Sequence, residues 1–138
     1  MIPSLLPLAT CAAALATLAT FTTTEAQAAT RYGVTCIHNR TQHAINFDIK
    51  IGKDGSWGTY RLQPGWNRSF SHKYDKQNEN QSPPIYIRFD SDLRGKTFWT
   101  QYKLERRAAT GEACAEGKPY NFRYEQNNRN LIYLKAPS

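Results

Sequence analysis

Ser82-Pro83-Pro84-Ile85-Tyr86-Ile87-Arg88-Phe89-Asp90-Ser91-Asp92-Leu93 reads as a loop exit, a strand and a turn. Neither proline can donate to a sheet ladder, so the strand starts after Pro84. Ile85, Ile87 and Phe89 then alternate with Tyr86, Arg88 and Asp90. A period of two puts the first set on a buried face and the second on a wetter one.

Similar segments lie on both sides. Tyr32 to His38 reads as a first strand, with Tyr32, Val34, Cys36 and His38 on one face. Ile45 to Ile51 alternates most clearly, with four large apolar residues facing one way and Asn46, Asp48 and Lys50 the other. Trp57 to Leu62 follows a Gly52-Lys53-Asp54-Gly55 turn, and Gln63-Pro64-Gly65 has the chemistry of a type II turn. Trp66, Phe70 and Tyr74 share one side of the next strand, where Trp66 is expected to pack. Asp75 to Ser82 contains no apolar residue and reads as an exposed loop.

Beyond Asp90, Thr97 to Arg106 reads as one long strand, with Phe98, Tyr102 and Leu104 inward and Trp99 outward. Ala108 and Ala109 fit a short helical turn that Thr110-Gly111 stops. Pro119 to Glu125 and Leu131 to Lys135 supply the last two strands. About eight short strands at this spacing predict an all-β domain, a small antiparallel β-sandwich, with a closed β-barrel as the alternative.

The 138 residues fit one domain behind a leader. Leu5 to Phe21 is apolar, small and uncharged, and Ala26-Gln27-Ala28 matches a signal-peptide cleavage pattern. The expected division is a secretory signal peptide over 1–28 and a secreted β domain over 29–138, with no stable membrane insertion after cleavage. All 18 Lys and Arg follow the leader, while one of the 11 acids, Glu25, lies within it. Eighteen bases against ten acids leave the mature domain at +8, a charge that favours acidic partners.

Cys11 leaves with the leader, and Cys36 and Cys114 remain. In an oxidising compartment an isolated pair forms one disulfide, here closing a long loop worth roughly 4 kcal/mol by chain entropy.

The domain has no G-x-S-x-G, H-E-x-x-H, phosphate-binding loop or dinucleotide fingerprint. Its histidines are His38, His43 and His72. One catalytic reading, a small secreted nuclease or hydrolase, would use His38 and His72 as acid and base with Arg88 beside them. Asp90 and Asp92 are a weak candidate for a hard cation, since Asp and Ser at a strand end usually just stabilise a turn. No cofactor is expected. Asn39, Asn67 and Asn80 each begin an N-x-S/T glycosylation sequence.

The aromatic residues carry the leading expectation. Trp57 has the opposite parity to Tyr60 and Leu62 and shares its side with Arg61. Trp99 has the opposite parity to Phe98 and Tyr102, near Lys103. Exposed rings beside cations are stacking platforms for sugars and single-stranded nucleic acid. The expectation is a non-catalytic binding module for an acidic polymer, a glycan or a secreted protein target, with Trp57, Trp99, Arg61 and Lys103 as its contact residues. Nucleic acid is a further ligand class. An inhibitor of a secreted enzyme, or a structural protein that self-associates through its sheet edges, are the remaining readings.

Overall fold

The computed structural model describes residues 31–76 and 81–137. The expected leader lies outside the described residues, as does Asn80 of the third glycosylation sequence. The strands are β1 (Tyr32–Asn39), β2 (Ile45–Ile51), β3 (Trp57–Leu62), β4 (Asn67–Lys73), β5 (Ile85–Asp90), β6 (Trp99–Leu104), β7 (Arg107–Ala109), β8 (Lys118–Glu125) and β9 (Asn128–Lys135). They form two sheets without barrel closure. Sheet A runs β4-β1-β8-β9, with β7 also paired to β1, and sheet B runs β3-β2-β5-β6.

Alternation builds the layer between the sheets. Ile85, Ile87 and Phe89 of β5 are at most 1 % exposed, while Tyr86, Arg88 and Asp90 are half-buried on the opposite face. Ile45, Phe47 and Ile49 join them from β2. Sheet A answers with Ile37, Phe70, Phe122, Ile132 and Leu134. Phe122 meets Phe89 edge to face at 5.0 Å and Phe47 at 5.7 Å between ring centroids. Such contacts add to the stabilisation from apolar area removed from water.

The turns follow their chemistry. Gly65 has φ of 80°, and the Trp66 amide donates to Gln63 O at 3.0 Å, as a type II turn requires. Asn39 anchors this end of the molecule. Its Nδ2 donates to the carbonyls of His43 (2.7 Å) and Leu62 (2.9 Å). Its Oδ1 accepts from the amide (2.9 Å) and hydroxyl (2.7 Å) of Thr41. A buried amide so fully bonded is part of the framework, so the first glycosylation sequence is closed to a glycan in the folded chain.

Several expectations are corrected by tertiary context. The described residues form nine strands rather than about eight: the expected Thr97 to Arg106 strand shortens to Trp99–Leu104, and a further strand, β7, forms beyond it where the chain joins sheet A. Ala108 and Ala109 lie in β7, where pairing with β1 at Gly33 and Tyr32 overrides their helical tendency. Phe98 precedes β6 and is 68 % exposed, rather than inward. Trp66 sits in the turn before β4 and is 63 % exposed, so it does not pack. Ile51, the last residue of β2, is exposed, unlike the other three apolar residues of that strand. The expected antiparallel sandwich is what forms, and within it one ladder, β1 with β8, runs parallel.

The face of β1 that holds Val34, Cys36 and His38 is the outer face of sheet A, since Ile37 points into the core. It is covered nonetheless. The segment after β7 folds over it through a single 3-10 turn, Cys114–Glu116, fastened by the Cys36–Cys114 disulfide. Gly117 lies against Val34, where a Cβ would come within 2.7 Å of Val34 Cγ1. Val34 and Cys36 are thereby fully buried outside the inter-sheet core.

Candidate functional site

Among the described residues, the outer face of sheet B has no such cover. The pleat and register decide which side chains meet there. Asp48 faces Thr59 on β3 and Arg88 on β5, while Lys50 faces Trp57 and Tyr86. Across the next ladder Tyr86 faces Lys103, and Asp90 faces Trp99. Directly opposed pairs touch, and long side chains reach diagonal neighbours.

Arg88 is the centre of this face. Its guanidinium carbon lies 4.2 Å from the centroid of the Trp57 ring and 5.5 Å from that of Trp99. Below it, Asp48 Oδ2 accepts a hydrogen bond from Arg88 Nε at 2.8 Å, and Oδ1 accepts one from the Thr59 hydroxyl at 2.9 Å. The Asp48 side chain is only 12 % exposed, so its charge is held under the guanidinium rather than presented to solvent. Lys50 Nζ lies 5.2 Å from the Trp57 ring and 5.1 Å from Tyr86. Each exposed cation–π contact is worth about 0.5–1 kcal/mol, and an exposed ion pair about as little, so the array contributes modestly to stability. Its larger consequence is geometric. Rings and cations alternate across four strands, and only the Nε edge of Arg88 is committed to Asp48 among the described hydrogen bonds.

The four residues singled out as contacts, Trp57, Trp99, Arg61 and Lys103, all lie on this face. Trp99 is 58 % exposed and Trp57 is half-buried beneath its cations. Arg61 and Lys103 are exposed at opposite edges of the sheet, Arg61 3.5 Å from Asn46 Oδ1. Sequence reasoning missed Lys50, Tyr86 and Asp48 as neighbours of these rings and assigned Arg88 elsewhere. Their parity on β2 and β5 placed them on a wetter face. Nothing local said that β2 and β5 lie side by side between the two tryptophans.

The residues of the catalytic reading do not come together. His38 is on the outer face of sheet A, with Nε2 3.3 Å from Cys36 Sγ. His72 has the parity of Phe70, on the core side of that sheet, and packs edge to face on Tyr74 at 5.5 Å. Arg88 is on the outer face of sheet B. His43 is engaged with the Tyr124 hydroxyl at 2.6 Å.

Asp90 and Asp92 are occupied by the turn that links β5 to β6. Asp90 Oδ1 accepts the amides of Asp92 (2.9 Å) and Phe98 (3.0 Å). Asp92 Oδ1 accepts the Arg94 amide at 2.9 Å and Arg94 Nε at 3.0 Å, and its Oδ2 accepts Nη2 at 3.1 Å. Hydrogen bonds from the Arg94 side chain, then from its backbone, hold the Asp92 carboxyl below its ordinary pKa. A depressed carboxylate stabilises the fold fully above the ordinary Asp range, and that stabilisation is lost as pH falls through the lowered value. Asp92→Asn should therefore melt below the wild type at neutral pH. The gap should narrow on acidification below about pH 4, as wild-type Asp92 is protonated. Melting curves of both chains across pH check this.

The disulfide fits a non-cytoplasmic protein. Among the described residues no helix is long and apolar enough to cross a membrane. No protein-family model, curated protein or solved structure matches the chain.

Proposed function

We propose that the chain is a secreted, non-catalytic binding module and that the outer face of sheet B takes an acidic, glycan-type polymer. One observation carries this reading: Arg88 lies between the rings of Trp57 and Trp99, on a face where Lys50, Arg61 and Lys103 supply further cations. The exposed Trp99 ring is a surface for a sugar ring. The cations match carboxylate or sulfate substituents, and a guanidinium held by Asp48 can offer its remaining N–H groups to an anionic oxygen pair. A neutral sugar would use the rings and leave the cations without a role.

Binding of the full chain to a uronic-acid oligosaccharide and to a neutral one of equal length, at low and high salt, tests the proposal. The acidic ligand should bind more tightly, with part of the affinity surviving high salt. Trp99→Ala should weaken it by about 5- to 150-fold, matching about 1–3 kcal/mol for one stacked ring. Lys103→Ala should weaken binding mainly at low salt. Trp66→Ala, which removes an equally exposed ring away from this face, should leave binding unchanged. If Trp99→Ala binds like the wild type, or Trp66→Ala is equally damaging, the assignment fails.

A further inference from the structure

Cys36 and His38 are two residues apart on one face of β1, so the pleat points their side chains the same way. The disulfide brings Cys114 to the same place. His38 Nε2 lies 3.3 Å from Cys36 Sγ, and a ring nitrogen of His38 and the two sulfurs all fall within 4.8 Å of one another. We propose that reduction of the Cys36–Cys114 bond converts this corner into a site for a thiophilic divalent cation of the zinc type, ligated by Cys36 Sγ, Cys114 Sγ and His38 Nε2. This site lies on the opposite sheet from the proposed glycan face and does not depend on it.

Geometry and donor chemistry agree. A tetrahedral zinc with sulfurs at about 2.3 Å and a nitrogen at about 2.0 Å keeps its ligand atoms roughly 3.5–3.8 Å apart. His38 Nε2 is already near that separation from Cys36 Sγ, and the sulfurs need only part from bonding distance. Two thiolates and an imidazole are the donor set that soft and borderline ions prefer, and water would complete the tetrahedron. Arg40 opposes a cation, and the two thiolate charges outweigh it. The carboxylates of the covering segment are engaged elsewhere, Glu112 with the Ser71 hydroxyl and Glu116 with that of Thr110.

In the oxidised protein the sulfurs are bonded to each other and supply no thiolate, so the site is closed. A dithiol reductant opens it. Its thiolate attacks the Sγ of Cys114, the less buried residue of the pair, and Cys36 leaves as a thiolate. The second thiol of the reagent then resolves the mixed disulfide. The protein gains two electrons and two protons, and the dithiol becomes its own disulfide. Binding of the cation displaces the two thiol protons.

Cobalt(II) titration of the full chain carrying C11S tests the proposal, with circular dichroism recorded on the same samples. C11S leaves Cys36 and Cys114 as the cysteines present. A water-soluble trialkylphosphine serves as reductant, being oxidised to its phosphine oxide with oxygen from water, because dithiols would compete for the metal. The reduced, folded chain should give a sulfur-to-cobalt charge-transfer band saturating at one ion per chain, displaced by zinc, and the oxidised chain none. His38→Ala should weaken binding about tenfold or more, since loss of even an indirect partner of a ligand costs 10–100-fold. A reduced, folded chain with no band overturns the proposal. So does unchanged affinity in His38→Ala, or binding only after the β-sheet signal is lost, because the fold would then not assemble the site.

Discussion

Phe122→Ala should destabilise the domain by about 3–5 kcal/mol, the usual cost of truncating a buried aromatic residue. Phe122 is fully buried and is sheet A's ring against both Phe47 and Phe89 of sheet B. Truncation removes its own burial and takes one ring contact from each of Phe47 and Phe89. The surrounding strands are tied by their ladders, so the cavity cannot close fully. Urea unfolding followed by tryptophan fluorescence measures the loss as a lowered midpoint. Stabilities of natural domains are about 5–15 kcal/mol, so this one change removes a large share of the total. A loss below about 1 kcal/mol would mean that Phe122 does not join the two sheets. Tyr133→Ala, on the half-buried face of the neighbouring β9, should cost much less.

Removing the disulfide should have an effect of similar size by another route. Cys36 and Cys114 are 78 residues apart, and closing so long a loop restricts the unfolded chain. The chain-entropy estimate is about 4 kcal/mol. A native contribution adds to it, because the bond holds the 3-10 turn over Val34 and Cys36. Replacing both cysteines by alanine should lower the urea midpoint and speed proteolysis between β7 and β8 before the core strands are cut. The proposed binding face on sheet B should keep its affinity in the surviving folded fraction. Cleavage that begins instead in sheet B would show that the disulfide supports a different part of the fold.

The proposed glycan face was partly legible. Alternation placed Trp57 and Arg61 opposite Tyr60 and Leu62, and Trp99 and Lys103 opposite Tyr102 and Leu104, and the structure has these parities. Two failures of the pattern occurred where a residue lies outside its ladder. Phe98 and Trp66 each stand one residue before a strand, so extending the alternation through them assigned them a face they do not occupy. Tyr102 does stack on Phe89 from the inner side of β6, yet remains 37 % exposed because that strand is a sheet edge.

From sequence alone came the all-β class, the turn at Pro64-Gly65, the start of β5 after Pro84 and the pairing of the two cysteines. Each depends on neighbours in the chain or on simple parity, which local stereochemistry reports. Tertiary structure decided the strand order β3-β2-β5-β6, the parallel contact of β1 with β8 and the crossing of the chain at β7. It also decided that sheet A's outer face is covered at Val34 and Cys36 while Arg88 on sheet B lies between two tryptophans. A residue's period tells which side of its own strand it occupies. Which strand comes to lie beside it is settled by competition among distant pairings for one shared core, and that competition is not written in any local stretch.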